Sequence, residues 1–165
     1  MGRRTVLSAE NMTLGTGNVL ACFRPAAADA PASTIEVTRV EISQSGTATL
    51  QQIRGAIGER DTAGTLTMTS TAPNPTTLGG PTSGLTGSTA PAGTAARSGT
   101  NSSADSGGTY VNTIPFNFPN LNGYLWKPDP GEQLFVTPGR VFVVRLLAAP
   151  TTTTGWTVHV FLDEN

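Results

Sequence analysis

The chain has 165 residues, 37% of them hydrophobic and 13% charged, and its formal net charge is −1. This length suits one domain that buries its own core, and 19 glycines with 12 prolines favour turns over helices. The low net charge provides no field of cations, which disfavours a nucleic-acid-binding protein. We therefore expect a single domain over residues 1–165.

The first residues of the sequence and its single cysteine give an expectation about the cellular compartment in which the protein is made. The first ten residues lack the apolar run of a signal peptide, and no run in the sequence approaches the length of a membrane span. The single Cys22 rules out an internal disulfide, and its apolar neighbours predict a small buried side chain. The sequence thus predicts a protein made in the cytoplasm, with no membrane partner.

Short runs rich in β-branched and aromatic residues, separated by Gly and Pro, predict strands. The runs in the first half are 4–13, 19–23, 34–43 and 65–69, and residues 48–57 fit either a strand or one short helix. The runs in the second half are 109–118, 132–136, 140–149 and 156–163, the last three predicted as antiparallel neighbours. About eight to ten short strands are what a jelly roll requires. The predicted fold is therefore all-β, an antiparallel jelly-roll β-sandwich.

The strand at residues 34–43 changes phase along its length. Ile35 and Val37 define one apolar face, but the next apolar residues are Val40 and Ile42. A period-two pattern cannot change phase without exchanging faces. We therefore expect a bulge or a strand crossing near residues 38–39.

Residues 70–108 differ sharply from the rest of the chain. They consist almost entirely of Gly, Ser, Thr, Ala, Pro and Asn. Such a segment buries too little apolar surface to offset its ordering entropy, and it is long for a connection inside a domain. It is predicted to be a long Gly/Ser/Thr/Pro-rich insertion, either a flexible loop or an arm that becomes ordered against a neighbouring subunit.

Arg145 is the most unusual charge because it lies within an apolar strand. Both faces of residues 141–147 are largely apolar, which predicts a central strand whose outer side is covered by a partner subunit. A buried arginine is normally paired. The candidate partners are Glu36, Glu41 or Glu132 of the same chain, or a carboxylate of another subunit.

The sequence offers little for catalysis. His159 is the only histidine, lies in the middle of a strand without a Gly-X-Ser-X-Gly motif, and is interpreted as structural or as part of an interface. The neighbouring carboxylates are Glu59 and Asp61, Asp129 and Glu132, and Asp163 and Glu164, all interpreted as solvated turns and termini. We expect no catalytic residue, no metal site and no cofactor.

Tyr124 and Trp126 form the aromatic centre of the chain, at a turn followed by two prolines. Two interpretations fit them. They could form a platform on which sugars stack, with Trp156 as a further ring, or they could close one end of the hydrophobic core. We place Tyr124 and Trp126 with Arg145 and His159 as the candidate interface residues.

Short segments of the C-terminal third carry a resemblance. They are Phe116-Asn117-Phe118, Gly123-Tyr124-Leu125-Trp126-Lys127-Pro128, Glu132, Val136-Thr137-Pro138-Gly139, Phe142-Val143-Val144-Arg145-Leu146, Ala149-Pro150, Trp156-Thr157-Val158 and Glu164. Together they resemble small head proteins of tailed bacteriophages. In that group a Gly-aromatic-Leu/Glu-Trp-X-Pro segment precedes Pro-Gly and a Val-Leu-Arg-Leu strand followed by Ala-Pro.

The resemblance implies a jelly-roll subunit on the virion surface, of the capsid decoration or minor head type. Such a protein is expected to be a homotrimer that binds the major capsid protein, and to be made in the cytoplasm of a bacterial host. It would act through interface area and not as an enzyme. The alternative is a carbohydrate-binding host-attachment module of a tail or fibre, which would need exposed aromatic rings.

Overall fold

The computed structural model describes residues 3–14, 19–23, 34–46, 49–61, 65–68, 76–77, 99–101, 103–106, 108–137 and 139–164. Within these ranges the regular structure is entirely β-strand, which confirms the predicted all-β class. The strands are β1 (Arg3–Leu14), β2 (Val19–Phe23), β3 (Ile35–Gln44), β4 (Gln52–Asp61), β5 (Thr65–Met68), β6 (Thr76–Thr77), β7 (Gly99–Asn101), β8 (Ser103–Ser106), β9 (Tyr110–Pro119), β10 (Tyr124–Trp126), β11 (Leu134–Val136), β12 (Arg140–Leu146) and β13 (Trp156–Glu164).

The strands form two main sheets and one small ribbon. Sheet A has the order β10-β3-β13-β1-β6, with β11 also on the edge of β3 and β7 also on β1. Sheet B has the order β2-β12-β4-β9, and β5 pairs with β8 in the ribbon. All the pairs are antiparallel except β1 with β7.

The two main sheets share one hydrophobic core. Sheet A contributes Trp156, Val158 and Val160 from β13, and sheet B contributes Phe142 and Val144 from β12. Each strand places alternate residues on one face, so every second side chain of these strands enters the same cluster. The core therefore lies between sheet A and sheet B.

The predicted change of phase in β3 is confirmed as a β-bulge. Phe161 of β13 pairs with Arg39, but the next residue, Leu162, pairs with Val37, so Thr38 is the extra residue. The Thr38 hydroxyl donates a hydrogen bond to the carbonyl oxygen of Phe161 at 3.2 Å. Because one residue is inserted, both halves of β3 keep their apolar side chains on the core side.

The three C-terminal strands predicted at 132–136, 140–149 and 156–163 are present. The prediction that they are neighbours in one sheet is wrong. β12 lies in sheet B, while β11 and β13 lie in sheet A on opposite edges of β3. Consecutive strands pass from one sheet to the other, so adjacency in sequence does not give adjacency in the sheet. The ambiguous segment 48–57 is resolved as a strand, since β4 covers its second half.

The Gly/Ser/Thr/Pro-rich segment 70–108 is described only in part. Residues 76–77 and 99–101 pair with β1, and residues 103–106 pair with β5. Apart from Gly108, the remainder of the segment lies outside the described residues, as does the side chain of Cys22. The prediction of a loop or arm therefore remains a prediction for most of its length.

Candidate functional site

The four predicted interface residues do not form one site. Arg145 lies in β12 of sheet B, whereas His159 lies in β13 and Tyr124 and Trp126 lie in β10, all in sheet A. Only Tyr124 and Trp126 come together, because they are alternate residues of the same short strand. The two sheets thus separate the candidates that the sequence grouped.

Arg145 stacks on a tyrosine ring of its own sheet. Its guanidinium carbon lies 3.5 Å from the centre of the Tyr110 ring. The two ion pairs found among the described residues do not include it. Of the predicted partners within the chain, Glu36 and Glu41 belong to β3 in the other sheet. The stacking contributes about 0.5–2 kcal/mol, depending on how far the pair is desolvated.

The outer face of β12 is buried within one copy of the chain. Val141 is 8% exposed and Val143 is 1% exposed, and both contact the buried Val19 of β2. Tyr110 packs against the same small cluster. A partner subunit is not needed to cover this face, so its apolar character gives no argument for an oligomer.

His159 lies on the outer face of sheet A and is half-buried. Its Nδ1 atom is 2.9 Å from the hydroxyl oxygen of Ser8 in β1, and its cross-strand partner in β3 is Glu41. A Ser–His contact alone is common in sheets, since neighbouring strands bring polar side chains together. This arrangement is consistent with the structural interpretation of His159.

Tyr124 and Trp126 pack against the core. The Tyr124 ring stacks on Phe116 with centroids 4.5 Å apart, and it also contacts Phe118 at 5.6 Å. Burial raises the pKa of the Tyr124 hydroxyl above its ordinary value of 10.0. Trp156 is fully buried, and its ring N–H donates to the carbonyl oxygen of Thr152 at 2.9 Å. The geometry favours closing the core over forming a platform for sugars.

Large hydrophobic side chains are exposed in two regions. Leu125 and Phe135 are 61% and 45% exposed on the edge strands β10 and β11. Leu50, Leu121 and Leu147 are 69%, 59% and 49% exposed in the connections between strands. Contiguous exposed apolar surface often marks an interaction site. The exposure of Leu50 was not predictable from sequence, because Leu50 falls into the same apolar pattern as the buried residues of β4.

The three exposed leucines lie at one end of the molecule, which we call the leucine tip (Leu50, Leu121 and Leu147). The connection 45–51 joins β3 to β4, the connection 120–123 joins β9 to β10, and the connection 147–155 joins β12 to β13. Cross-strand pairing places Gln52 opposite Pro119, and Leu146 opposite Gly55. The three connections therefore leave the sheets at the same end, and their described residues carry no charged side chain.

Amide side chains fix the leucine tip, and two of them, Asn120 and Gln44, are buried. Asn120 is 2% exposed, accepts a hydrogen bond from the Gln51 backbone N–H at 3.0 Å, and donates to the Thr49 carbonyl at 3.2 Å. The Gln51 side chain accepts from the Thr151 N–H at 2.7 Å, and Gln44 donates to the Thr154 carbonyl at 3.0 Å. These bonds tie all three connections together, so the leucines are held on a preorganised surface.

Glu59 corrects the expectation that all the paired carboxylates are solvated. It is only 4% exposed in β4, whereas Asp129 and Glu132 lie in an exposed turn as predicted. Burial raises the pKa of Glu59 above its ordinary value of 4.5, while a hydrogen bond with Asn112 and the charge of Arg140 act in the opposite direction. Asn112 has a positive φ of 49°, next to an irregularity in the pairing of β4 with β9.

The Glu59→Gln variant is expected to be more stable than the parent protein at neutral pH. With a raised pKa, the native state binds the proton more tightly than the unfolded chain, so the free energy of unfolding falls as pH rises from about 4.5 through the native pKa. The variant should lack this decrease. Urea unfolding from pH 4 to 8 measures it, with the exposed Glu10→Gln as the control. A less stable variant at pH 7 would show that Asn112 and Arg140 outweigh burial.

Neither a metal site nor a membrane-spanning helix is found in the part of the chain that the structure describes. Its His, Cys, Asp and Glu side chains include no group of three or more that could hold a metal ion. None of its segments is a helix long and apolar enough to cross a membrane. Comparisons with family models, with curated proteins and with solved structures give no match.

Proposed function

We propose that this chain is a structural virion protein: a jelly-roll capsid decoration or minor head protein that oligomerises on the capsid surface as a homotrimer. Its partner is then the major capsid protein of a tailed bacteriophage. The observation that carries this proposal is the leucine tip: three exposed leucines on connections that are joined by hydrogen bonds and whose described residues carry no charge. The resemblance of the C-terminal third to phage head proteins supplies the class of partner.

The strand order supports the jelly-roll part of the proposal. In a jelly roll of eight strands, two Greek keys give one sheet the order 1-8-3-6 and the other the order 2-7-4-5. If β10 and β11 count as one interrupted strand and β5 to β8 are set aside, sheet A has the first order and sheet B the second. On this count β5 to β8 occupy the connection between the fourth and fifth strands.

The composition of the leucine tip supports attachment to another protein. Burying a leucine side chain completely contributes about 1.5–3 kcal/mol, and an uncharged contact is little affected by salt. Anchors that are already rigid lose little entropy on binding. A subunit that clamps a lattice needs such contacts, since its affinity comes from interface area and from a few buried anchors.

Capsid binding by the leucine tip is tested with capsids assembled from the major capsid protein encoded in the same genome. The triple variant Leu50→Ser, Leu121→Ser and Leu147→Ser is expected to bind these capsids at least about a hundredfold more weakly in co-sedimentation. The parent protein should bind equally well at low and high salt. Light scattering of the unbound protein measures the expected trimer in the same samples.

The matched control replaces the other exposed pair, Leu125→Ser with Phe135→Ser, which lies on the edge strands β10 and β11 of sheet A and outside the three connections of the tip. This control should keep capsid binding. If only the control variant loses capsid binding, the capsid contact lies on sheet A and not at the tip. If the parent protein does not bind capsids, the proposal is overturned. The carbohydrate-binding alternative gains no support, because Trp156 is buried and Tyr124 and Trp126 pack against the core.

A further inference from the structure

A cleft opens on the outer face of sheet A at the bulge in β3. On this edge β11 pairs with residues 35–37 and β10 pairs with residues 40–42. Thr38 and Arg39 therefore have no strand partner on that side in the described part of the chain. Bulges often interrupt pairing next to functional sites, because they redirect side chains.

The cleft has a volume of about 360 Å³, which lies within the range of small-ligand sites. Its charged lining consists of Arg4, Arg39 and Lys127 with one carboxylate, Asp163. The remaining lining residues are Thr38, Phe161 and Leu162. With the Glu41 carboxylate, which lies 3.2 Å from Arg39, three cations face two anions, so one positive charge remains in excess at the cleft.

Arg39 is held in place by an aromatic ring. Its guanidinium carbon lies 3.6 Å from the centre of the Phe161 ring, and its side chain remains 40% exposed. The Nε atom lies 3.2 Å from the Glu41 carboxylate, yet it makes no hydrogen bond in the described part of the chain, so this contact is ionic and poorly aligned. A guanidinium fixed against a ring loses little freedom when it binds an oxyanion.

The other two cations, Arg4 and Lys127, differ in whether a carboxylate pairs with them. Arg4 lies 3.4 Å from Asp163 but its side chain is 76% exposed, and such surface pairs are weak. Lys127 is the only lysine of the sequence, is exposed, and takes part in no ion pair among the described residues. Its ammonium group is a mobile point charge beside the fixed guanidinium of Arg39.

We propose that this cleft binds a small multivalent oxyanion, a polycarboxylate or a phosphate compound. Charge-assisted hydrogen bonds from Arg39 and Lys127 hold the anion, and Arg4 turns from Asp163 toward it. The site is distinct from the leucine tip and does not depend on the proposed function. Both ligand classes present several anionic oxygens, and three cations line the cleft.

Isothermal titration calorimetry of the full chain with citrate and with pyrophosphate tests this site. The two titrations distinguish a polycarboxylate ligand from a phosphate ligand. At least one of them is expected to bind, more weakly as salt increases. The Lys127→Gln variant should bind about tenfold more weakly or worse, since one charge-assisted hydrogen bond is lost. Arg54→Gln, an exposed arginine in sheet B, is the matched control and should bind as the parent protein does.

A second readout follows the lysine directly. Reductive methylation with ¹³C labels the ε-amine of Lys127, the only lysine of the chain, and its NMR signal should shift when the binding anion is added. Failure of both anions to bind would overturn the proposal. Binding that is weakened equally by Arg54→Gln and Lys127→Gln would also overturn it, because it would then reflect general charge.

Discussion

The Gly155→Ala variant is expected to lose about 3 kcal/mol or more of its free energy of unfolding. Gly155 has a φ of +74°, a conformation that a residue with a side chain rarely adopts, and an added Cβ would overlap the carbonyl oxygen of Ser45. That overlap would separate two backbones that are now joined by the hydrogen bond from the Ser45 N–H to the Gly155 carbonyl at 2.7 Å. Chemical denaturation measures the loss.

The control for this variant separates backbone strain from lack of space. Gly131 has a φ of +96°, and no atom lies within 4 Å of an added Cβ. Gly131→Ala should therefore lose only about 1–2 kcal/mol, the cost of the left-handed conformation. Equal losses in the two variants would show that the contact with Ser45 contributes nothing.

The Trp156→Ala variant is expected to lose about 3–5 kcal/mol. Trp156 is 0% exposed at the start of β13 and belongs to the cluster that sheets A and B share. Its removal leaves a cavity, and it leaves the Thr152 carbonyl without its ring N–H donor. Urea unfolding followed by far-UV circular dichroism measures the change without relying on tryptophan fluorescence.

Two further variants keep the test informative if Trp156→Ala does not fold. Trp156→Phe fills most of the cavity and should lose less, since the hydrogen bond to Thr152 is removed while much of the packing is kept. Leu125→Ala, at a side chain that is 61% exposed, should change stability by less than about 0.5 kcal/mol. A Trp156→Ala protein as stable as the parent would contradict the described core.

Strand positions were predictable where apolar periodicity is strong. The bulge at Thr38 could be predicted because Ile35, Val37, Val40 and Ile42 must all enter the core, and that is possible only with an inserted residue. The first half of β4 was ambiguous for an equally physical reason. Gly55 lies directly against the Phe116 ring and has no side chain of its own, so it adds no periodic signal.

The pairing of the strands was not predictable in the same way. A strand's periodicity says which residues are buried, but not which strand lies beside it. The candidate partners Glu36 and Glu41 therefore lie in sheet A, whereas Arg145 lies in sheet B. Its guanidinium stacks on Tyr110, which belongs to β9 of the same sheet. An Arg–Tyr contact cannot be predicted from the sequence, because arginine and tyrosine each also occur without such a partner at the surface of a sheet.

The candidate sites depend on this pairing. Leu50, Leu121 and Leu147 are far apart in the sequence and come together only because three connections leave the sheets at one end. The cleft likewise forms only because Lys127, which follows β10, and Arg39, at the bulge of β3, line the same space. Neither group contains a local motif, so no stretch of the sequence marks either site.

The central position of β13 also constrains the order in which the chain can fold. β13 lies between β3 and β1, and it is the last strand to be synthesised among those described. Until it inserts, β1 and β3 have open edges, and every closing contact is distant in sequence, which makes folding slow. Open edges in a slow-folding chain are where misassembly begins, so the nascent protein is most vulnerable just before β13 takes its place.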